Sequence, residues 1–232
     1  MRTAGDTDEG GVRRRKKAVA PAETRGWMKR LTLERLTRYY ICLCDNSSRS
    51  QSDVVSSARI AECVGVDDTQ VRKDLALIGV RGRPRVGFKR GEVIAAIRGV
   101  LGFEKQCKAV IVGAGRLGGA IAEYPGFADF GLSIVAFFDN DPEKFDTVIG
   151  GCKVYSTGEM KQVIRELGAR LAILTCPADS AQVLADELVD AGIRAIWNFA
   201  PTTIVTPEDV IVGNEHVSVG LVALTYYLRR SE

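Results

Sequence analysis

The sequence contains a single histidine, His216, and this scarcity argues against most chemistry that depends on imidazole. One histidine is too few for a Cys/His metal site, and hydride transfer generally needs a positioned acid or base. The cysteines do not fill the gap, because Cys42-x-Cys44 is neither a zinc nor a redox spacing and the others stand far apart. We therefore expect no metal, and buried reduced thiols at positions 42, 44, 63, 107, 152 and 176.

Long apolar runs are also absent. No stretch approaches the roughly 18 apolar residues of a membrane span, and the N-terminus is charged instead of resembling a signal sequence. These absences predict a soluble, cytoplasmic protein with no membrane partner. The hydrophobic content of 46% is ample for one large or two small domains.

Charge is distributed unevenly along the chain. Lys and Arg outnumber Asp and Glu by 21 to 12 over residues 1–103, whereas the acids outnumber the bases by 17 to 11 over residues 104–232. The basic front half suits a polyanion. Residues 1–25 are predicted to form a disordered basic tail, which either touches phosphates or is simply solvated.

Residues 108–140 hold the strongest motif. An apolar run precedes a glycine-rich turn, and a second apolar run ends on Asp139. This order of strand, tight turn, helix, strand and acid is typical of a dinucleotide-binding unit. Gly113 permits the tight turn, Gly115 lets the backbone approach a pyrophosphate, and Gly118 lets the helix pack close to the strand. The turn residues expected to bind the cofactor are Gly113, Ala114, Gly115, Arg116, Leu117 and Gly118.

The acid at the end of the second strand favours NAD(H) over NADP. Asp139 follows Gly118 by 21 positions, where a carboxylate accepts hydrogen bonds from an adenosine ribose and repels a 2′-phosphate. A structural turn without a ligand is the alternative.

Strands and helices continue to alternate after Asp139. A short loop and strand is predicted at 148–154, strands are predicted at 171–175 and 195–198, and helices are predicted to begin at the caps Thr157 and Asp179. This pattern predicts a Rossmann-like, doubly wound parallel sheet in the α/β class, whose ligands bind at the carboxyl edge. Plain loops are the alternative for the edge segments that we assign to the nicotinamide end, which contain Thr175, Cys176, Pro177, Phe199 and Pro201.

The front half contains a helix-turn-helix pattern. A first helix, capped by Thr32, is predicted to run to Cys44. Ser56 then caps a short helix that Gly65 ends, and Asp67 or Asp68 caps a second helix with Val71, Leu75 and Ile78 on its buried face. An ordinary helical hairpin is the alternative. Ser57 is placed with the DNA contacts, and the open face of the second helix is predicted to carry Gln70, Arg72, Lys73 and Asp74.

A basic segment at 79–90 strengthens the DNA-binding interpretation. It holds five positive residues, three glycines and no acid, which predicts a β-hairpin wing near phosphates or a minor groove. Its predicted contacts are Arg81, Arg83, Arg85 and Lys89. A helix at 92–101 follows, so we assign residues 26–103 to a winged-helix domain and residues 104–213 to a Rossmann domain.

The last segment is apolar on nearly every side. Over residues 217–228 only Ser218 and Thr225 carry polar groups apart from the tyrosine hydroxyls, so this helix is predicted to lie in a subunit interface. We assign residues 214–232 to a dimerisation helix that is exchanged with a partner copy.

These motifs, in this order, resemble the Rex family of redox-sensing transcriptional repressors over residues 30–230. The residues that carry the resemblance are Gln70-Val71-Arg72-Lys73-Asp74-Leu75, the turn 113–118, Tyr124-Pro125-Gly126-Phe127, residues 138–144 and Asn198-Phe199-Ala200-Pro201. The resemblance implies a cytoplasmic homodimer that binds a palindromic double-stranded operator and releases it when NADH replaces NAD+. It also implies DNA contacts from Arg72 and Lys73 and places Tyr124 beside the nicotinamide.

Several residues of this chain differ from the usual Rex-family pattern, and they suggest an alternative function. The family's first helix usually carries an arginine after its tyrosine pair, where this chain has Ile41, and that arginine pairs with an aspartate where this chain has His216. Pro84-Arg85 in the wing and Leu77-Ile78-Gly79 after the second helix also depart from the family. A divergent paralogue with weakened or rewired dinucleotide coupling, or with a CoA-type ligand, is the alternative function, whereas a dehydrogenase is disfavoured.

Overall fold

The computed structural model describes residues 28–45, 53–215 and 217–230, which form two compact units. The winged-helix unit contains residues 28–106 together with Pro125–Leu132, and the sheet unit contains Cys107–Tyr124 and residues 133–230. Within these described residues, the chain therefore passes between the units three times. The predicted basic tail and His216 lie outside the described residues.

The winged-helix unit is built from four helices and a two-stranded antiparallel sheet. Its core is closed by apolar side chains from every helix, with Leu36, Ile60 and Leu75 fully buried. The elements are α1 (Arg30–Cys44), β1 (Val54–Val55), α2 (Ser57–Val64), α3 (Asp68–Leu77), β2 (Phe88–Lys89) and α4 (Arg90–Leu101).

Local capping explains the helix-turn-helix, and its predicted signals are confirmed. The Ser56 side chain accepts a hydrogen bond from the Arg59 N–H, and Asp67 accepts one from Thr69 at 2.7 Å. Gly65 ends α2 with φ of +72°, a left-handed conformation that glycine adopts without strain.

Two predictions about this unit are wrong. Thr32 does not cap α1, because the helix begins at Arg30 and Thr32 lies buried in its first turn. Asp74 does not lie on the open face of α3, because it is only 3% exposed and faces α1.

Asp74 is the centre of a buried polar network that joins α1 to α3. Its carboxylate accepts hydrogen bonds from Arg35 Nε at 2.7 Å, from the Tyr39 hydroxyl at 2.9 Å and from Gln70 Nε2 at 2.8 Å. Burial raises the pKa of Asp74, but the hydrogen bonds from Arg35, Gln70 and Tyr39 outweigh burial and hold the pKa below its ordinary value. The carboxylate therefore stays ionised at neutral pH.

The wing differs from the predicted hairpin. A tight turn is closed by the Arg83–Gly87 bridge, and β2 pairs with β1 instead of with a strand inside the basic segment. Arg85 sits at the tip with φ of +61°. Gly87 is required beside β1, because a Cβ there would overlap the Val55 carbonyl.

The segment Pro125–Leu132, which follows the first part of the sheet unit along the chain, packs in the winged-helix unit. The 3-10 turn Pro125–Phe130 brings Phe130 against Tyr40 and Phe103, with ring centroids 6.0 and 5.1 Å apart. The three rings form one aromatic cluster, since Tyr40 and Phe103 are themselves 5.1 Å apart.

The sheet unit confirms the predicted doubly wound fold. Its strands hydrogen-bond in the order β5-β6-β4-β3-β7-β8-β9, with parallel pairing for β4–β6, β3–β7, β7–β8 and β8–β9, and antiparallel β5 at one edge. The strands are β3 (Cys107–Val112), β4 (Leu132–Asp139), β5 (Val148–Ile149), β6 (Cys152–Ser156), β7 (Leu171–Leu174), β8 (Ala195–Asn198) and β9 (Ile211–Asn214). The helices are α5 (Arg116–Ala122), α6 (Met160–Leu167), α7 (Ala178–Ala191) and α8 (Val217–Arg230).

Some boundaries in the sheet unit differ from the predictions. Ser156, not Thr157, caps the turn before α6, since its side chain accepts from Gly158 while Glu159 accepts from the Ser156 N–H. Asp179 lies in the first turn of α7 and is not its cap. Strand β9 was not predicted.

Helix α8 leaves its apolar side chains in solvent. Among its described residues, Val219, Leu221, Val222, Leu224, Tyr226, Tyr227 and Leu228 are each more than half exposed. This is far more exposed apolar surface than a helix of a single chain usually carries. No helix within the described ranges is both long and apolar enough to cross a lipid bilayer.

The expectation of buried reduced thiols is wrong for most of the cysteines. Cys42 and Cys63 form a disulfide between α1 and α2, and Cys44 is an exposed thiol. Cys107 and Cys152 are half-buried, so only Cys176 matches the expectation of a buried free thiol.

Replacing Asp74 tests how far the buried network supports the unit. We expect Asp74→Ala to lower the free energy of unfolding by about 3 kcal/mol, because it leaves the largely buried Arg35 guanidinium without its partner. Because folding lowers the pKa of Asp74, the stabilisation is complete above about pH 4 and is lost as the pH falls through the lowered value. Urea unfolding of the full chain, followed by circular dichroism, measures the difference.

The matched control is Asp68→Ala on the same helix. Asp68 pairs with Arg72 in solvent, with 40% of its side chain exposed, so we expect a loss below about 1 kcal/mol. Equal unfolding midpoints for the two variants would contradict the role assigned to Asp74.

Candidate dinucleotide site and nucleic-acid interface

Strand β3 occupies the switch point of the sheet, with β4 on one side and β7 on the other. The order β6-β4-β3-β7-β8-β9 is that of a doubly wound sheet whose first strand is β3. In such sheets the ligand lies in the crevice beyond the carboxyl ends of the strands at this point. The glycine turn, Asp139 and Thr175 all follow these strand ends.

Two glycines allow the strands and the helix to meet here. Gly113 has φ of +110°, and a Cβ on it would lie 2.8 Å from the carbonyl oxygen of Thr175. A Cβ on Gly118 would overlap the Gly113 carbonyl. The Thr175 hydroxyl donates to the Gly113 carbonyl at 2.9 Å, which ties the start of the turn to the end of β7.

Gly115 differs from these two glycines, because the space that its Cβ would take is open. No atom lies within 4 Å of that position, and φ is −93°, which any residue adopts. Arg116 and Leu117 are exposed and Ala114 is buried. A phosphate that approaches the backbone at Gly115 meets no side chain, and the first turn of α5 presents N–H groups with no intrahelical acceptor. The residues at the turn therefore fit a pyrophosphate.

Asp139 is held firmly at the end of β4. It is 6% exposed and accepts hydrogen bonds from the Ala114 N–H at 2.7 Å, the Asp141 N–H at 2.9 Å and Lys144 Nζ at 3.1 Å. Burial raises its pKa, but these three donors outweigh burial and keep the pKa below the ordinary value. An ionised carboxylate offers about four acceptor positions, so one remains for a ribose hydroxyl.

The segments after β7 and β8 lie at the same edge of the sheet. Cys176 is buried, which raises the pKa of its thiol, while Pro177 and Pro201 are exposed and Phe199 packs edge-on against Trp197. Sequence reasoning missed Asn198 as an organising residue. Its side chain donates to the Thr202 carbonyl and to Asn214 and accepts from the Ala200 N–H, and so it shapes the loop that carries Phe199.

Tyr124 is the last residue of the first described chain segment of the sheet unit, Cys107–Tyr124. It directly follows the last turn of α5 and is 56% exposed. The next residue, Pro125, begins the segment that packs in the winged-helix unit through Phe130. The predicted nicotinamide contact is therefore covalently adjacent to a part of the other unit.

The open face of α3 is smaller than the sequence predicts. Arg72 and Lys73 are exposed, but Gln70 is half-buried and bonded to Asp74. Arg72 is held by Asp68 and donates to Ser57 Oγ and to Thr69 Oγ1, both at 3.1 Å. These bonds point the guanidinium along the junction of α2 and α3.

The wing provides a second basic surface in the same unit. All four of its predicted DNA contacts are exposed, and three of them, Arg81, Arg83 and Lys89, line a surface cleft together with Asp53 and Glu92. Lys89 forms an ion pair with Glu92 at 2.9 Å, which leaves the arginines as the principal charges of the wing. The four contacts are Arg81, Arg83, Arg85 and Lys89.

Comparison with known protein families divides the chain in a similar way. The family described as "CoA binding domain" matches residues 104–202, and the family described as "Putative DNA-binding protein N-terminus" matches residues 30–76. The first match contains the glycine turn and Asp139, and the second contains α2 and nearly all of α3 but ends before the wing.

Curated relatives span nearly the whole chain. The "Redox-sensing transcriptional repressor Rex" of Clostridium beijerinckii is 36% identical over 200 residues, covering 86% of this chain and 94% of the relative. The protein of the same name from Carboxydothermus hydrogenoformans is 40% identical over 199 residues, covering 86% of this chain and 95% of the relative.

Solved structures show the same architecture. The crystal structure of RSP in complex with beta-NAD+ and operator DNA superposes with a TM-score of 0.81 at 33% identity, covering 89% of this chain and 95% of that chain. The structure of RSP in complex with beta-NADH superposes with a TM-score of 0.79 at 32% identity, covering 89% and 97%.

Two alanine substitutions in the turn separate folding from ligand binding. We expect Gly118→Ala to destabilise the chain by about 1–3 kcal/mol, because its Cβ meets backbone. We expect Gly115→Ala to keep the thermal midpoint within about 3 °C while NADH affinity falls more than about tenfold, because the methyl group fills the open approach to the backbone. Calorimetry and NADH fluorescence titration measure the two effects.

Gly119→Ala is the control for both glycine variants. Its Cβ would lie 3.6 Å from Ile149 Cγ2, an ordinary contact, so stability and NADH affinity should remain those of the parent chain. If Gly115→Ala bound NADH as tightly as Gly119→Ala, the turn would not be the pyrophosphate site.

Neutralising the wing tests the nucleic-acid surface. We expect the double variant Arg81→Gln, Arg83→Gln to bind every duplex more weakly. The magnitude of the slope of log affinity against log salt should fall by up to about 2, because each lost phosphate contact removes about 0.9. Fluorescence anisotropy at several salt concentrations measures the slope. Lys161→Gln, Arg165→Gln removes the same charge from exposed positions on α6, and an equal effect from that control would contradict a contact at the wing.

Proposed function

Because the chain belongs to the Rex family of redox-sensing transcriptional repressors, we propose that it represses transcription by binding an operator and releases that operator when NADH binds. One observation carries the proposal. A glycine turn that fits a pyrophosphate and a winged helix with a basic surface occur in one chain, and relatives at 36% and 40% identity match that chain over 86% of its length.

The effector in this proposal is NAD(H). The turn residues 113–118 hold the pyrophosphate, Asp139 binds the adenosine ribose, and Tyr124 with the loops after β7 and β8 surrounds the nicotinamide. The related RSP structures contain beta-NAD+ with operator DNA in one case and beta-NADH in the other, which supports both forms as effectors. When bound, the nicotinamide ring reports the redox state and is not consumed.

The DNA in this proposal is a palindromic duplex. Helix α3 presents Lys73 and Arg72 to base edges or phosphates, and the wing arginines add affinity that depends on salt. Two copies of the chain would read two half-sites, because a two-fold dimer recognises a two-fold site. The apolar face of α8, exposed on every described side, is the surface that the second copy covers.

Coupling in this proposal requires NADH to favour the DNA-free arrangement of the dimer. A preference of about 2.7 kcal/mol lowers operator affinity about 100-fold, and tight NADH binding without such a preference has no effect. The segment Pro125–Leu132 provides a physical link, because it begins beside Tyr124 and ends in the aromatic cluster of Phe130, Tyr40 and Phe103. A shift at Tyr124 is therefore transmitted along seven residues at most.

We also propose that the chain is a cytoplasmic regulator without catalytic activity. The described residues contain no cluster of His, Cys, Asp and Glu arranged for a metal ion. The groups near the proposed nicotinamide site are a buried thiol with a raised pKa, two prolines, a phenylalanine and the hydroxyls of Thr175 and Tyr124. The Thr175 hydroxyl donates to the Gly113 carbonyl, and no lysine stands four positions after Tyr124, which supports binding of the ring more than proton transfer to a substrate.

A second candidate keeps DNA binding but changes the ligand or its coupling. The match of residues 104–202 to a CoA-binding family favours a CoA-type ligand. Ile41 is 52% exposed on α1 at the position where the family resemblance places an arginine, which favours a rewired switch.

An operator-release experiment distinguishes these functions. We expect NADH to weaken binding to a duplex from the gene's own upstream region by about 100-fold, corresponding to about 2.7 kcal/mol of coupling, and we expect NAD+ to change it less than about twofold. Fluorescence anisotropy at fixed salt measures both titrations.

The same assay with CoA serves as the control ligand. If CoA released the operator and NADH did not, the effector would be a CoA-type ligand and not NAD(H). Tight binding that neither ligand alters would establish a DNA-binding paralogue whose coupling has been lost, and NADH oxidation in the presence of small carbonyl compounds would instead indicate a dehydrogenase.

A further inference from the structure

A disulfide joins the first two helices of the winged-helix unit, and the dinucleotide mechanism does not use it. Cys42 lies in the last turn of α1 and Cys63 in the last turn of α2, one residue before the helix ends. Their Cα atoms are 6.4 Å apart, within the range that a disulfide spans. The bond therefore fixes the C-terminal end of α2, where the turn of the helix-turn-helix begins.

We propose that the Cys42–Cys63 pair is a reversible thiol–disulfide switch that gives the repressor a second redox input. This inference rests on the proposed function, because the quantity it controls is operator affinity. The oxidised pair strengthens DNA binding and the reduced pair weakens it.

Solvent access makes the bond reversible. Cys63 is exposed and Cys42 is half-buried, so a small thiol reaches the Cys63 sulfur. In reduction, a thiolate attacks Cys63 Sγ, the disulfide breaks, and its electron pair leaves on Cys42 Sγ, which takes a proton from solvent. A second thiolate then attacks the sulfur of the added thiol and releases Cys63.

Oxidation uses a hydroperoxide as the two-electron acceptor. The Cys63 thiolate attacks one peroxide oxygen and becomes a sulfenic acid, and with hydrogen peroxide the other oxygen leaves as water after protonation. The Cys42 thiolate attacks that sulfur, the S–S bond forms, and the sulfenic oxygen leaves as a second water. Two thiols and one hydrogen peroxide thus give one disulfide and two waters.

The core of the winged-helix unit is buried without a contribution from this disulfide. A disulfide that the fold does not require can open and close as a switch. Neither sulfur belongs to the core, where Leu36, Tyr39, Ile60, Val71 and Leu75 are fully buried. The Asp74 network also holds α1 to α3 independently of the sulfurs. The reduced unit therefore remains folded. Disulfides in reducing compartments, where a repressor meets its DNA, are usually sensing or catalytic.

The position of the bond determines its effect on α3. The recognition helix is tied to α1 directly through Asp74, and it is tied to α2 by the bond from Arg72 to Ser57. With the disulfide closed, α2 is also fixed to α1, so the three helices form one closed frame. Opening the disulfide removes the covalent tie and leaves α2 held to α1 by core packing alone, through Ile60 and Ala61. The C-terminal end of α2 then has more conformational freedom, and binding DNA costs more conformational entropy.

The two redox inputs have the same sign under this proposal. Oxidising conditions raise NAD+ relative to NADH and also close the disulfide, and both changes favour repression. The second input responds to peroxides or to low-molecular-weight disulfides and does not pass through the glycine turn.

The test measures operator affinity of the full chain in both thiol states without dinucleotide. Protein reduced with dithiothreitol is compared with protein oxidised by hydrogen peroxide, after each reagent is removed, and mass spectrometry maps the Cys42–Cys63 peptide pair. We expect the oxidised chain to bind about three- to tenfold more tightly by anisotropy, and the ratio to fall to one in Cys42→Ser and in Cys63→Ser.

The matched control is Cys44→Ser, which removes the exposed thiol two residues from Cys42 and should keep the ratio. Circular dichroism of each variant confirms that the reduced unit is folded. A mapped disulfide with equal affinity in both states, or a ratio lost in Cys44→Ser, overturns the switch and leaves the proposed function standing. A chain that binds no duplex in either state overturns both.

Discussion

The close backbone contact among Gly113, Gly118 and Thr175 is the constraint on which the sheet unit depends. Strand β3, strand β7 and helix α5 meet there at distances that leave no room for a Cβ, and the Thr175 hydroxyl bonds the turn to the strand end. Because β3 and β7 are parallel neighbours, their carboxyl ends share one edge. Asp139 is locked to the Ala114 N–H beside it. Among the three glycines of the turn at 113, 115 and 118, the Cβ position is open at Gly115 and filled at the other two.

Buried polar contacts help to hold the winged-helix unit together. A carboxylate that is 3% exposed receives hydrogen bonds from two side chains of α1 and one of α3, so the orientation of the recognition helix is set by directional bonds as well as by packing. Gln70 belongs to this network, which makes it a positioning residue for α3, and its DNA contact stays a prediction. Arg72 is likewise held in place by three neighbours before any nucleic acid arrives.

Local signals in the sequence predicted most of the fold. Ser56 acts through its side-chain oxygen on the next helical turn, and Gly65 and the glycine turn act through their own backbone, so their roles follow from residue type and spacing. The sequence could not place Asp74, because its burial depends on Arg35 and Tyr39, which lie 39 and 35 positions away. The same holds for the Cys42–Cys63 bond and for the bond from Asn198 to Asn214, which lies in a strand that the sequence pattern did not reveal. For the candidate site, the turn was predictable, whereas the hydrogen bonds that fix Asp139 were not.

The three passages of the chain between its units restrict how the protein can be divided by recombination or by a protease. A gene fragment that ends near residue 106 encodes every helix of the winged-helix unit but omits Phe130, and it leaves Tyr40 and Phe103 without their third ring. A fragment that begins at residue 107 carries that phenylalanine away from the surface it covers. Cleavage at one junction leaves two connections intact. A new DNA-binding module therefore cannot be exchanged into this chain at a single crossover without losing Phe130 from its aromatic cluster.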